Sequence, residues 1–237
     1  MESQFFVTSI LPLVVLGVVY FGSVFLFEAI GRSRHGQKFK IQSVQENEQK
    51  VAEMHWIAMR NVTIGYIVQL VVYPVSSCII TLGSASIGKE MLVLTGLLLI
   101  ADATFYWSHR LLHHRYFYVR CHKLHHSCHS PVSWTSLYVD YGEFVIAILS
   151  SFLLPLWVVG AVGVGVHYAT YSAFIAIIAF SLVMSHSGLK LPLLDATHHD
   201  NHHKYANGNY GSRVGVWDWM MGTTIDVTAT MPKKKVK

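Results

Sequence analysis

Long apolar runs separated by short polar segments set the pattern of this chain. A helix that crosses a bilayer needs about 20 apolar residues, and the run 7–30 meets that requirement. No basic residue precedes it and it has no clear small-residue cleavage site. It is also too long for a signal-peptide core, so it reads as a retained span. Segment 57–82 predicts a second span, with Arg60 at its mouth and Pro74 placed to kink it. Segment 91–107 predicts a third. Segment 144–184 is about twice a span in length, with Gly160, Gly163 and Gly165 near its middle, and predicts a tight hairpin of two helices. The expected fold is an all-α integral membrane protein with four to five transmembrane helices.

The polar segments orient these spans. Segment 31–56 carries Arg32, Arg34, Lys38, Lys40 and Lys50, and segment 109–143 carries Arg110, Arg115, Arg120 and Lys123. The stretch from 185 onward ends in Lys233, Lys234, Lys235 and Lys237, whereas loop 81–90 has only Lys89. Basic loops stay in the cytosol, so all three segments are expected on the cytosolic side and the N-terminus on the other. The final Lys-Lys-Val-Lys resembles a dilysine retrieval signal, which points to the endoplasmic reticulum membrane; a plain positive tail is the alternative. The sequon Asn61-Val62-Thr63 falls within a span and is expected to be unused. Organisation is read as an N-terminal transmembrane region with a basic loop over 1–90, a catalytic domain over 91–223 and a basic tail over 224–237.

Composition agrees: 52% of residues are hydrophobic and 13% charged, against about 25% charged in soluble domains. The formal charge of +5 follows the topology rather than forming a nucleic-acid patch. Cys78, Cys121 and Cys128 make no regular framework and are read as reduced thiols.

Histidine changes the picture most. Of 15 histidines, 12 fall within 109–129 and 186–203, and the topology puts both segments on one side of the membrane. His109 and His113 are four apart, which sets both on one helical face. His122, His125 and His126 repeat spacings of three and four, as do His199, His202 and His203, and His186 ends the last span. Imidazole suits iron, copper, zinc and nickel. A tetrahedral ion takes about four ligands, so this many clustered imidazoles imply two ions. Few carboxylates accompany them, which argues against a ferritin-like bridged site. Single histidines at interfaces are more often surface groups, the reading given to His35, His55, His167 and His129, and with even weight to His114.

Three boxes carry a resemblance. Asp102-Ala-Thr-Phe-Tyr106-Trp107-Ser-His109-Arg110 with His113, then His122, His125 and His126, then His186-Ser-Gly with His199-Asp-Asn-His202-His203 and Asn209-Tyr-Gly, stand in order before Trp217-Asp218 and Gly222-Thr223. Over 102–223 the chain resembles the fatty acid hydroxylase/sterol desaturase superfamily of membrane di-iron enzymes, most closely its sterol methyl oxidase-like branch. That resemblance implies a cytosolic histidine-rich helical cap, two iron ions, O2 as cosubstrate, and electrons from cytochrome b5 or a similar reductase. It implies metal ligation by His109, His113, His122, His125, His126, His186, His199, His202 and His203, with His198 a possible tenth.

One departure stands out: Asp140-Tyr141 occupies the place of a histidine-proline pair in many sterol-type members, with Glu143 three residues on. Asp140 is thus a candidate ligand or ligand-supporting group. Asp102, Glu143 and Asp200 are candidates to fix imidazole tautomers. Beyond these residues no catalytic side chain is singled out. The expected activity is O2-dependent hydroxylation of an apolar lipid, a sterol or relative, with desaturation or aldehyde deformylation as alternatives within the superfamily. Of another class are a metal transporter, for which the spans offer few ionisable groups beyond Asp102 and His167, and an inactive structural relative.

Overall fold

The computed structural model describes residues 5–44, 46–211 and 215–226. The expected dilysine signal lies outside them. Uninterrupted apolar sequence with little Pro or Gly favours helix in lipid, where every backbone N–H and C=O must be satisfied within the segment. Four helices among the described residues are long and apolar enough to cross a membrane: Phe6–Arg32, Ile87–Leu112, Tyr141–Ala161 and Tyr168–Ser185. The first is a π-helical turn, Phe6–Ile10, leading into α1 (Leu11–Arg32), and the second is α3 (Ile87–Leu112). The third is α4 (Tyr141–Ile148), a π-helical turn Leu149–Leu153, and α5 (Leu154–Ala161). The fourth is α6 (Tyr168–Ser185). Two short helices follow, α7 (Thr197–Tyr205) and α8 (Val216–Met220).

The second expected span differs. Helix α2 covers Glu48–Ser76 and is not among the four, because Arg60, Asn61 and Gln69 dilute its apolar run. Its two ends nonetheless lie at opposite ends of the bundle. At one end the Tyr138 hydroxyl donates to Glu53 Oε1 at 2.9 Å and Lys50 bonds the Ser127 carbonyl, both in the histidine layer. At the other end, β1 (Ile80–Thr81) pairs in parallel with β2 (Val166–His167), the strand that precedes α6. Helix α6 then runs back to His186. So α2 traverses the depth of the fold, and its first turns belong to the cap. Asn61 is fully buried and its amide bonds the Leu137 and Val139 carbonyls at 3.0 Å, which leaves the sequon no free side chain.

The glycine-rich hairpin forms where expected. Gly163 adopts φ +78, open to glycine but costly for other residues. Two buried clusters hold the bundle. One joins α1, α2 and α6 to the 133–139 segment through Val24, Phe27, Met54, Trp134 and Val183. The other joins α3, α5 and α6 through Leu97, Leu156, Val159, Phe174 and Ile178. Lipid-facing positions such as Val18, Phe25, Ile67, Val71, Leu92 and Leu99 are exposed. Cys78, Cys121 and Cys128 are free thiols.

At Gly160 a Cβ would lie 2.7 Å from Ile79 Cδ1 and Cγ1, whereas at Gly22 nothing lies within 4 Å. Overpacking costs about 1–3 kcal/mol. Gly160→Ala is therefore expected to lower the thermal midpoint of detergent-solubilised protein, and Gly22→Ala to leave it unchanged or raise it. Equal midpoints for the two variants would contradict the docking of the hairpin on Ile79.

Candidate metal centre

Nine histidines meet at the end of the bundle where α3 and α6 finish. They come from different kinds of backbone. His109 lies in the last turn of α3 and His113 caps it. His122 ends a π-helical turn, Tyr118–His122, and His125 and His126 sit in a 3₁₀ turn, His125–Ser127. His186 caps α6, and His199, His202 and His203 lie on α7.

The nitrogens sort into two groups, each with its donor atoms within 4.8 Å of one another: His109, His113, His122, His126 and His202 in the first, and His125, His186, His199 and His203 in the second. The spacing rule takes a finer form here. Pairs four apart stay together (109/113, 122/126, 199/203), while the residue three along (125 after 122, 202 after 199) serves the other group. At 100° per residue, i+4 lies about 40° from i and i+3 about 60° away on the opposite side. One short segment can thus address two adjacent centres. The groups abut, with the rings of His126 and His203 stacked at 5.0 Å.

The ring tautomers follow from hydrogen bonding. The Nδ1 atoms of His109 and His202 lie 2.7 Å from the carbonyls of Tyr210 and Gly208, and that of His186 lies 2.8 Å from Leu182. His203 Nδ1 is 3.0 Å from the Cys128 carbonyl, and His125 Nδ1 is 3.4 Å from that of Tyr138. A carbonyl only accepts, so Nδ1 carries the proton and donates it, leaving Nε2 bare in the neutral ring. Glu143 Oε2 lies 2.9 Å from His122 Nδ1, but neither atom has a hydrogen-bond partner, so this contact is one of charge and proximity.

The Nε2 atoms converge. His109–His122 and His113–His202 are 3.1 Å apart, His113–His122 and His126–His202 3.0 Å. In the second group, His186 lies 2.9 Å from His199 and 3.3 Å from His125, and His203 Nε2 is buried with no hydrogen-bond partner. An imidazole nitrogen binds a divalent metal at about 2.1 Å. Two such ligands at right angles are then about 3 Å apart, the spacing seen here. The donor set therefore fits a metal ion in each group.

Electrostatics supports this. Burial pushes His113 from 6.5 down to about 2, reinforced by His109 and His126. It pushes His126 to about 3 and His186 to about 4. Burial and neighbouring imidazoles likewise hold His122, His125, His199, His202 and His203 well below the usual histidine value.

The acidic candidates separate. Glu143 is the carboxylate that meets a clustered imidazole. Asp140 is in neither group; it caps α4, accepting from the Gly142 amide at 3.1 Å. Asp200 turns to Gln42, whose amide donates to it at 2.9 Å, and burial raises it to about 6. Asp102 is half-buried on α3, outside both groups. His198, the possible tenth, lies 3.1 Å from Asp218 instead. The histidines read as surface or structural groups also stand apart: His114 and His167 accept from the amides of Tyr116 and Ala169, each at 3.4 Å.

Asp218 is a supporting residue that the sequence reading quoted in a motif without giving it a task. It is fully buried and accepts from the amides of Tyr210 and Gly211 at 2.8 Å and from Thr223 Oγ1 at 2.7 Å. Burial alone would raise its pKa; the bonds from His198, Thr223, Gly211 and Tyr210 outweigh that and hold it low. It thereby fixes the loop whose Tyr210 carbonyl orients His109. The backbone carbonyls that orient the other rings carry no side-chain signal at all.

Fold and centre together define a multi-pass membrane protein with a buried, histidine-only site suited to metal. The fatty acid hydroxylase family model matches residues 94–223, and the chain belongs to that family. Over 126 residues it is 38% identical to the fatty acid hydroxylase domain-containing protein 2 of Macaca fascicularis, covering 53% of this chain and 36% of that one. It is 32% identical to methylsterol monooxygenase erg25A of Aspergillus fumigatus, over 53% of this chain and 44% of that one. It is 33% identical to Delta(7)-sterol 5(6)-desaturase erg31 of Schizosaccharomyces pombe, over 51% of this chain and 39% of that one. The chain thus spans less than half the length of these relatives. No solved structure matches it.

The pKa directions fix a pH dependence. Below pH 6.5 the unfolded chain binds protons that the folded imidazoles refuse, so stability falls with falling pH until the folded values are reached, about 4 for His186, about 3 for His126 and about 2 for His113. Chelator-treated protein is expected to melt at a markedly lower temperature at pH 5 than at pH 7.5. An identical midpoint at both would contradict the neutral, buried cluster.

Proposed function

We propose that this chain is an O2-dependent lipid oxidase that holds two irons, one in each histidine group, and hydroxylates an apolar lipid of the sterol class. The observation that carries this reading is a partly open pocket, ≈ 820 Å³ with its solvent-exposed mouth included, lined both by His109, His125, His186 and His199 and by span residues such as Phe105, Leu112, Phe144 and Leu182. Metal-facing imidazoles and hydrocarbon-compatible walls meet in one chamber. The relatives named for methylsterol oxidation and sterol desaturation support the same class.

When bound, the irons supply activation of oxygen and removal of hydrogen from an unactivated carbon. The rest falls to the protein. Tyr210, Gly208, Leu182, Cys128 and Tyr138 hold the Nδ1 protons through their carbonyls, which keeps Nε2 turned inward. Glu143 Oε2 stands 2.9 Å from His122 Nδ1, close enough to favour a proton on that nitrogen. The apolar walls exclude water and position the C–H bond; an error of about an ångström there costs orders of magnitude in rate. Three of the four histidines of the second group line the chamber, against one of the five in the first, so substrate meets the second group. Of the aromatic residues near the histidine boxes, Phe105 lines this chamber. Tyr106, Trp134 and Tyr138 are packed in the core and Trp107 is half-exposed.

The basic segments support a reading in which this centre faces the cytosol, with the endoplasmic reticulum as the compartment and cytochrome b5 or a similar reductase as electron source. The functional unit is 91–223, joined to the preceding region through α2. Transport is disfavoured because the histidines cluster at one end of the bundle rather than along it.

Purified protein is expected to hold two irons per chain and to consume O2 with a sterol and a reductant. His199→Ala and His113→Ala should each lower bound iron and cut turnover at least about a hundredfold, as ligand-shell losses do. Normal sterol oxidation by either variant would refute the assignment.

A further inference from the structure

The chamber below the histidines contains more hydroxyl groups than a purely apolar ligand requires. Four serines line it: Ser108, Ser136, Ser150 and Ser151. Three have committed their hydroxyls to backbone carbonyls, Ser108 to Phe105 at 3.0 Å, Ser136 to Ser133 at 2.6 Å and Ser150 to Ala147 at 3.4 Å. Ser151 makes no such bond, although it is only 7% exposed. It sits in the π-helical turn Leu149–Leu153, in which Ser150, Ser151 and Leu153 are all buried. A π turn inserts a residue and shifts the inward face of a helix, and such turns recur at functional sites. Here the insertion brings both serines inside, and only one of them is satisfied. The depth is also suitable: the Ser150 carbonyl accepts from Thr104 Oγ1 at 2.5 Å, and Thr104 lies five residues, about 7–8 Å along α3, below His109.

A second cavity of ≈ 800 Å³ lies among α1, α2, the α4–α5 span and α6, and it shares Leu137, Phe144, Ile148, Phe152 and Leu182 with the first. Its walls are mostly hydrocarbon and no histidine lines it. The Asn61 amide is spent on two carbonyls, the Tyr20 hydroxyl lies 3.4 Å from Ser136 Oγ, and the Gln69 amide nitrogen is buried with no hydrogen-bond partner. The two chambers differ in what stands beside the histidines: the first holds Ser151 next to them, and the second is lined mainly by hydrocarbon and has no histidine in its walls.

We infer that Ser151 binds the hydroxyl of a monohydroxy sterol, with the apolar arm of the lipid running on into the second chamber, so that oxidation falls on a carbon near the hydroxyl end. This rests on the lipid-oxidase reading and adds the orientation of the substrate to it. A buried hydroxyl that gains a partner only in the complex discriminates against an analogue lacking that partner. Ser151 is a positioning group, and its loss is felt in binding before chemistry.

The test is equilibrium binding of radiolabelled cholestanol and of cholestane, which lacks the hydroxyl, to iron-loaded full-length protein in nanodiscs. Wild type is expected to bind cholestanol more tightly. Ser151→Ala should weaken cholestanol about two- to tenfold, the range of one hydrogen bond, and leave cholestane unchanged. Ser150→Ala, whose hydroxyl already has a partner, should change neither. Equal affinity of wild type for the two lipids, failure to bind either, or an equal effect of Ser151→Ala on both would overturn the inference. Oxygen consumption is measured separately. Selective binding without consumption would refute oxidation and leave the binding site standing.

Discussion

Neutral imidazole nitrogens that face one another across about 3 Å with no proton between them repel, and eight of the nine clustered rings face one another at that spacing, a repulsion that a cation between them relieves. Each Nδ1–H given to a carbonyl fixes its ring and leaves the other nitrogen free to accept a metal. The low dielectric of the site removes the option of protonation, since charging a buried imidazole costs far more than charging one in water. The architecture therefore has to deliver carbonyls as accurately as it delivers histidines. That explains why the segments around the centre are tight turns rather than long helices. The Gly208 carbonyl comes from the turn after α7, where Ala206 and Asn209 take φ 54. The Cys128 carbonyl comes from the end of a 3₁₀ turn.

The same constraint explains the loop over 206–226. Asn209 is nearly fully buried and its side chain accepts from the Ile225 amide at 2.8 Å and donates to the His198 carbonyl at 2.9 Å. Tyr106 on α3 meets Thr223 Oγ1 at 3.0 Å and stacks on Trp217 at 6.0 Å. These contacts join a transmembrane helix to the loop that orients His109. A substitution well away from the histidines can therefore change how a ring is presented.

Much of this was legible in the sequence, for reasons that separate cleanly. Helices in lipid announce themselves through run length, so the hairpin around Gly163 and the spans flanking it could be read directly. Spacing of three and four flagged eight of the nine clustered histidines, because periodic placement on a turn is a local property; His186, alone at the end of the last span, entered through the resemblance. What was hidden is non-local. Nothing in 122–126 or 199–203 says that the third residue serves a different centre from the first and fourth. Asp140, Asp200 and Asp102 resemble Glu143 as acids near a box, yet only Glu143 meets a clustered imidazole; helix capping takes Asp140 and Gln42 takes Asp200. Asp218 was visible only as part of a motif, since its partners are amides from a loop folded back upon it. The role of α2 was blurred for a related reason. Arg60 and Asn61 serve the cap while later residues of the same helix face lipid, so one helix mixes two solvents.

That mixing has a consequence for the chamber beneath the centre. A cap held only by its own contacts could drift relative to the bilayer, and the chamber would lose its floor. Here the cap is bound to the spans from several sides: by Arg60, whose guanidinium sits 3.9 Å from the Tyr141 ring and bonds the Val139 carbonyl, by Glu53 at Tyr138, and by Asn61 between Leu137 and Val139. All of these land on residues 137–141, the stretch that supplies the carbonyl for His125 and the start of α4, and α4 in turn carries Glu143 to His122. The anchoring of the cap and the orientation of His125 are thus one set of contacts, and Glu143 is carried to His122 by the helix that begins there. The bonds that dock α2 on residues 137–141 therefore also bear on how the rings are presented.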